Sequence, residues 1–271
     1  MQVLYATGFN AWGQLQFDAS SVQEEPDDID KFTLTTSDGT STAGTLPEDG
    51  ASTEDFIYFS EALNGHVIVY DKNDDVVQVV AYDVGFAALS TGGQVWTWGD
   101  ARFPECLGRD VAVSPADNPG RVTALEDLPT GPIVKLAAGG YVLAALTRGR
   151  DLYCWGGYPG RRPMVLEDLT GEPSPIVVLV TADEGNDKEA DIADIGVGDG
   201  HMIVLTADGS VCVIGSNANG QLGLGRKGKT ANGPRTLSSW VKVRDLPSGK
   251  DQRVTSVYAG PRSSFVVVTE S

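Results

Sequence analysis

Two stretches at opposite ends of the chain decide the fold: Gly8 to Leu15, GFNAWGQL, and Gly215 to Leu222, GSNANGQL. Both read G-x-N-A-x-G-Q-L, so the chain contains an internal repeat. Three short apolar runs precede the second copy: Ile192 to Val197, His201 to Thr206 and Val211 to Ile214, with the turn Ala207-Asp208-Gly209-Ser210 between the last two. The first copy has only Gln2 to Thr7 before it.

The same three-run cycle is legible in Val76 to Gly99 and in Ile133 to Gly156, each leaving through a small residue followed by glycine. Val254 to Thr269, VTSVYAGPRSSFVVVT, supplies two runs and stops, whereas MQVLYAT supplies the third and enters the loop. The two ends together complete one unit. A ring of sheets closed in this way is the propeller solution to exposed strand edges.

Runs of Val, Ile, Tyr and Trp four to six residues long, separated by glycine and aspartate turns, predict strands. Their imperfect alternation is that of strands covered on both faces. The reading is all-β: a β-propeller of about five blades, or six if the divergent stretch holds two, in a single domain over 1–271. The shared closing blade takes 1–17 plus 253–271, a divergent acidic blade 18–75, and three regular blades 76–125, 133–170 and 192–247. Five units in 271 residues average about 54 each, slightly longer than the roughly 40 to 50 of propeller repeats.

The cycle as a whole, with its A-x-G-x-x-H strand pair, T-x-D-G hairpin, W-G strand and N-x-x-G-Q-L-G loop, resembles the regulator of chromosome condensation repeat. The match is fullest over Ile195 to Gly225, with His201, Asp208-Gly209, Asn217 and Gly220-Gln221-Leu222-Gly223. At the family's histidine position the other cycles carry Phe86, Val142 and Ser263, and His201 reads as a packed, hydrogen-bonded residue. The chain is similar to short, single-domain members. The resemblance implies a non-enzymatic scaffold binding a protein through its loop rim, in the nucleus or cytoplasm. It also implies two alternatives: nucleotide exchange on a Ran-like small GTPase, and inhibition of an enzyme by plugging its active site.

Composition agrees with one glycine-rich all-β domain: 41% hydrophobic residues and 33 glycines. The absence of an 18-residue apolar run predicts no membrane span, and MQVLYATGF predicts no secretory leader. Three cysteines, Cys106, Cys154 and Cys212, lack metal-like spacing and read as small buried fillers of a reducing compartment.

The net charge of -17 is unevenly spread: Asp18 to Asp75 holds fifteen acids and two lysines, Arg226 to Arg262 nine bases and two acids. A complementary protein, including a chromatin-associated one, suits this polarity. Direct DNA binding is not expected, because the molecule as a whole repels phosphate. Gly223 to Thr230, GLGRKGKT, satisfies the phosphate-loop pattern, but Gly233-Pro234 denies it the helix that the chemistry needs. Asp71 to Asp75 starts like a calcium loop, yet Val76 and Tyr82 stand where glycine and glutamate are required. No catalytic, cofactor or metal residues are assigned.

Alternating strand direction puts the loop between the first two strands of each cycle on the same rim as the loop after the third. The first kind offers Asp83, Tyr141, Asp199 and Arg262; the second offers Phe9, Trp12, Phe103, Tyr158, Arg161 and Arg162. Aromatics and arginines carry most interface energy, and loops on a rigid scaffold carry function. These ten are the candidate partner-binding residues.

Overall fold

A computed structural model describes residues 2–8, 29–36, 56–59, 67–70, 76–157, 166, 169, 173–183, 186–225, 236–246 and 252–270. The strands in chain order are β1 (Gln2–Gly8), β2 (Ile29–Thr36), β3 (Phe56–Phe59), β4 (Val67–Tyr70), β5 (Val76–Tyr82), β6 (Gly85–Ser90) and β7 (Val95–Gly99). A four-residue helix α1 (Pro104–Leu107) follows, then β8 (Gly120–Arg121), β9 (Ile133–Gly139), β10 (Val142–Thr147), β11 (Leu152–Gly156), β12 (Ile176–Val178), β13 (Thr181–Asp183) and β14 (Asn186–Glu189). The last six are β15 (Ile192–Gly198), β16 (His201–Thr206), β17 (Val211–Ser216), β18 (Thr236–Lys242), β19 (Gln252–Gly260) and β20 (Ser263–Glu270).

They form four antiparallel four-stranded sheets and two hairpins. Blade I is β19-β20-β1-β2, blade II β5-β6-β7-β8, blade III β12-β11-β10-β9 and blade IV β15-β16-β17-β18. In blade I, β1 pairs with β20 from Gln2 opposite Thr269 to Gly8 opposite Ser263, so both chain ends build one sheet. One sequence expectation is corrected here. KFTLTT, read as part of the divergent stretch 18–75, lies in β2, which pairs with β1 as the outer strand of blade I. Of the rest of that stretch, only the hairpin β3–β4 is described. The outer strand of blade III, β12, lies beyond the boundary read at 170.

Inner strands β5, β9, β15 and β19 stand side by side around a channel. The second strands GFAALS, VLAALT and HMIVLT are buried at every position, which is why they read as unbroken apolar runs. Each inner strand is bulged at one equivalent place, passing over Val77, Val134, Ala193 and Thr255 in its pairing with the second strand. A bulge re-aims the side chains that follow it. Those following residues are Gln78, Lys135, Asp194 and Ser256, and the first three lace neighbouring blades together.

The lacing is explicit. Gln78 Nε2 donates to Leu136 O and Gln78 Oε1 accepts from Leu136 N–H, both at 2.8 Å. Lys135 pairs with the buried carboxylate of Asp194, whose other oxygen accepts Val257 N–H at 2.9 Å. Three successive seams are thus held by one polar position per blade. Among the described residues no helix is long and apolar enough to cross a membrane.

Candidate functional site

One mouth of the channel is built from the turns between first and second strands. Asp83 N–H donates to Gly140 O at 3.0 Å, and Asp199 N–H donates to Pro261 O at 3.0 Å, so neighbouring turns are tied into a rim. The exits of the third strands join the same rim: Asp100 N–H reaches Val84 O at 2.9 Å, Gly157 N–H reaches Tyr141 O at 2.8 Å, and Ser216 N–H reaches Gly200 O at 2.7 Å. The glycine ending each third strand makes this close approach feasible. At Gly8, Gly156 and Gly215 φ is +121°, +106° and +98°, and a Cβ there would run into the carbonyl of the facing turn.

At this mouth lies a cavity of about 370 Å³ whose walls include Ala81, Ala138, Val197 and Ala259, with Asp83 and Asp199 at its edge. Both aspartates and Arg262 are exposed. Partial burial, then the Asp199 charge, holds the Asp83 carboxyl above the usual carboxylate range. Beside them Phe103 and Tyr141 meet across the seam between blades II and III, with ring centroids 5.3 Å apart, and both are half-buried. Of the ten sequence candidates, Asp83, Asp199, Arg262, Tyr141 and Phe103 therefore come together on one rim. Phe9, Trp12, Tyr158, Arg161 and Arg162 lie outside the described residues.

Beyond the rim the exit loops serve the seams. Helix α1 carries Cys106 and Leu107 beneath blade III, where Trp155 Nε1 donates to Cys106 O at 3.1 Å and the Cys106 thiol donates to Tyr141 O at 3.3 Å. Burial, with the charges of Glu105 and Asp83 adding to it, pushes that thiol up to about 12. The loop GSNANGQL docks on blade I in the same way. Asn217 Oδ1 accepts Leu222 N–H at 3.1 Å, Leu222 is fully buried, and the Thr7 hydroxyl lies 2.8 Å from Gly220 O. Gly223, at φ +65°, faces the Phe32 ring so closely that a Cβ would stand 2.5 Å from it. The start of the phosphate-loop look-alike is therefore committed to a blade seam.

His201 is the packed residue the sequence predicted. It is fully buried, and its Nε2 lies 3.1 Å from Ser264 Oγ and 3.3 Å from Ser263 O on blade I. Burial pulls its pKa down to about 4 against the backbone contacts that favour the cation. The sequence expectation for blade II is corrected: Gly85, which pairs with Gly99 as His201 pairs with Gly215, takes the equivalent place, and Phe86, one residue on, stacks on Trp98 at 5.5 Å. All three cysteines are buried and none is in a disulfide. Sequence reasoning missed the polar belt of Gln78, Lys135 and Asp194; a polar residue third in each cycle was its available signal.

Four antiparallel sheets set around a channel, with the turns of successive blades joined at one mouth, define a β-propeller. Regulator of chromosome condensation (RCC1) repeat profiles match residues 208–267 and 192–221. Residues 192–267 thus match the RCC1 repeat, and the chain is similar to proteins that carry it. It is 30% identical over 205 residues to the mouse Regulator of chromosome condensation, covering 72% of this chain and 45% of that protein. A mouse RCC1-like G exchanging factor-like protein is 32% identical over 152 residues, covering 56% of this chain and 32% of that protein. The Saccharomyces cerevisiae Prp20p structure, described with its binding properties to Gsp1p and histones, aligns with TM-score 0.53 and 16% identity over 80% of this chain and 54% of that chain. At that identity the likeness shows the fold alone. The chain spans between about a third and a half of the length of these curated relatives.

Proposed function

We propose that this propeller is a non-enzymatic interaction scaffold that binds a protein partner through the rim carrying Asp83, Phe103, Tyr141, Asp199 and Arg262, within a nuclear or cytoplasmic complex. The observation that supports it is the joining of the turns of four blades at one mouth, where exposed charges and a half-buried aromatic pair sit on a hydrogen-bonded frame. Rigid presentation of aromatic and charged side chains lowers the ordering cost of association. His201 and the cysteines, the groups best suited to proton transfer or nucleophilic attack, are instead sealed in the seams.

The test is capture of partners from extract with the wild-type chain and with two rim variants, Phe103→Ala/Tyr141→Ala and Arg262→Glu. A protein retained at about equal molar ratio by the wild type and lost by either folded variant supports the reading. Capture of none, or equal capture by all three, overturns it.

A second reading, nucleotide exchange on a Ran-like small GTPase, is favoured by the likeness to the mouse RCC1-like G exchanging factor-like protein. It requires that the rim accelerate release of labelled GDP from such a GTPase. No acceleration at micromolar protein removes it.

A further inference from the structure

We infer that Ser114 is a phosphorylation site whose phosphate is received by the buried guanidinium of Arg109; this goes beyond the rim reading and does not depend on it. Ser114 and Pro115 stand in the loop of blade II between α1 and β8. The loop tip protrudes: Ala112, Val113 and Pro115 are exposed, Val113 by 82%. Among the described residues the Ser114 hydroxyl makes no hydrogen bond, and it is not sealed from solvent. Pro115 places a residue without an N–H directly after the serine, the dipeptide that proline-directed protein kinases select.

Beside that hydroxyl lies a cation without a counter-ion. Arg109 is only 6% exposed, and no ion pair among the described residues reaches it. Neutral acceptors hold it instead. Nε donates to Thr97 Oγ1 at 3.2 Å, Nη1 donates to Ser114 O, and Nη2 is shared among Thr97 O, Pro115 O and Asn118 O at 3.0 to 3.2 Å. Nη1 carries two hydrogens and meets one acceptor, so a donor remains on it. Gly120 keeps the space between hydroxyl and guanidinium open. A Cβ there would overlap Ser114 Oγ and stand 2.5 Å from Arg109 Cζ.

In the step itself Ser114 Oγ attacks the γ-phosphorus of ATP. The Oγ–P bond forms as the bond from that phosphorus to the β–γ bridging oxygen breaks, ADP leaves, and the hydroxyl proton passes to the kinase's carboxylate base. The tip rests on turn bonds from Val113 N–H and Ser114 N–H to Asp110 O, at 3.3 and 3.1 Å, and on Arg109, so local opening suffices to present it. On closing, a charge of about -1.5 to -2 lies beside the guanidinium, and an arginine–phosphate pair is stronger than the carbonyl contacts alone. Asp110 and Asp117, the loop's exposed acids, oppose that charge from the solvent side, where screening is greatest.

The test treats the full chain with a purified proline-directed kinase and magnesium ATP. The chain carries Ser174→Ala, which removes its other Ser-Pro step at an exposed position and leaves Ser114-Pro115. Mass spectrometry locates the phosphate, and phosphorus NMR follows its second ionisation in the folded chain and in the same chain unfolded in urea. The expected result is modification at Ser114, absent when Ser114→Ala is added. In the unfolded chain the phosphate should titrate near its ordinary value of about 6, and in the folded chain at least about 0.5 pH unit lower, because the guanidinium favours the dianion. No phosphate at Ser114, or a folded-state titration less far below the unfolded one, overturns the inference. Neither result bears on partner capture by the rim variants, so the two proposals fail separately.

Discussion

Acidification should open the seam between blades IV and I, and His201 makes the size of the effect calculable. In the folded chain this imidazole is fully buried against Ser263 and Ser264, with a pKa near 4; in the unfolded chain it returns to about 6.5. Above pH 6.5 both states hold it neutral and it contributes no pH dependence. Between pH 6.5 and 4 the unfolded chain takes up a proton that the folded chain refuses, so stability falls as pH falls. The difference of about 2.5 units corresponds to about 3 kcal/mol by pH 4 and about 2 kcal/mol by pH 5.

Carboxylates also titrate in this range, and relief of the overall negative charge acts in the opposite direction, so one chain's pH profile does not isolate the histidine. Urea denaturation of wild type and His201→Gln, side by side at pH 7.5, 6 and 5, does. Glutamine keeps a hydrogen-bonding group near Ser264 without titrating, and every carboxylate is common to both proteins. The wild type should lose about 2 kcal/mol more than the variant between pH 7.5 and 5. Parallel curves, within about 0.5 kcal/mol, would refute the sealed neutral imidazole.

Further outcomes concern the frame. Asp194→Ala removes the acceptor of Val257 N–H and the partner of Lys135, and should cost about 3–5 kcal/mol in denaturant unfolding; Lys135→Met, which leaves the buried Asp194 carboxylate without its cation, should be destabilising as well. A cost below about 1 kcal/mol would show that the polar belt is not a structural tie. Gly156→Ala forces a side chain onto φ +106° and into Tyr141 O, and should cost about 3 kcal/mol by thermal unfolding; a neutral outcome contradicts the close approach. All three thiols should resist an aromatic disulfide reagent at pH 8 until the chain unfolds, because each is buried and burial raises Cys106 and Cys154. Stoichiometric labelling of the native protein would contradict this.

Much of the fold was legible because propeller blades write their geometry into composition. The unbroken apolar runs marked the second strands, the glycine after each third strand marked the turn-to-exit contact, and the paired loops revealed a blade shared by the two ends. The outer strands were less legible. Packed on one side only and far from the channel, they carry weak patterns, which is how KFTLTT was assigned to the wrong unit and β12 lay past the expected boundary. Strand alternation put Phe103 and Tyr141 on one rim, and the two rings meet there. What happens beneath it was not visible: nothing in the letters says that Cys106 and Leu222 leave the rim to fill seams. Arg109 was equally silent, although it is buried and donates to Thr97 O and Asn118 O at 3.0 Å each, ordering the loop of blade II. Such contacts depend on where carbonyls converge in space, which no local spacing encodes.

The central claim is that one rim of this propeller meets a protein partner. A photo-crosslinking residue placed at Asp199, on that rim, and at Gly209, in an exposed hairpin turn between β16 and β17, tests it directly in native extract. The account predicts a discrete crosslinked protein from position 199 and none from position 209. Equal products from both positions, or a product from 209 alone, would contradict it.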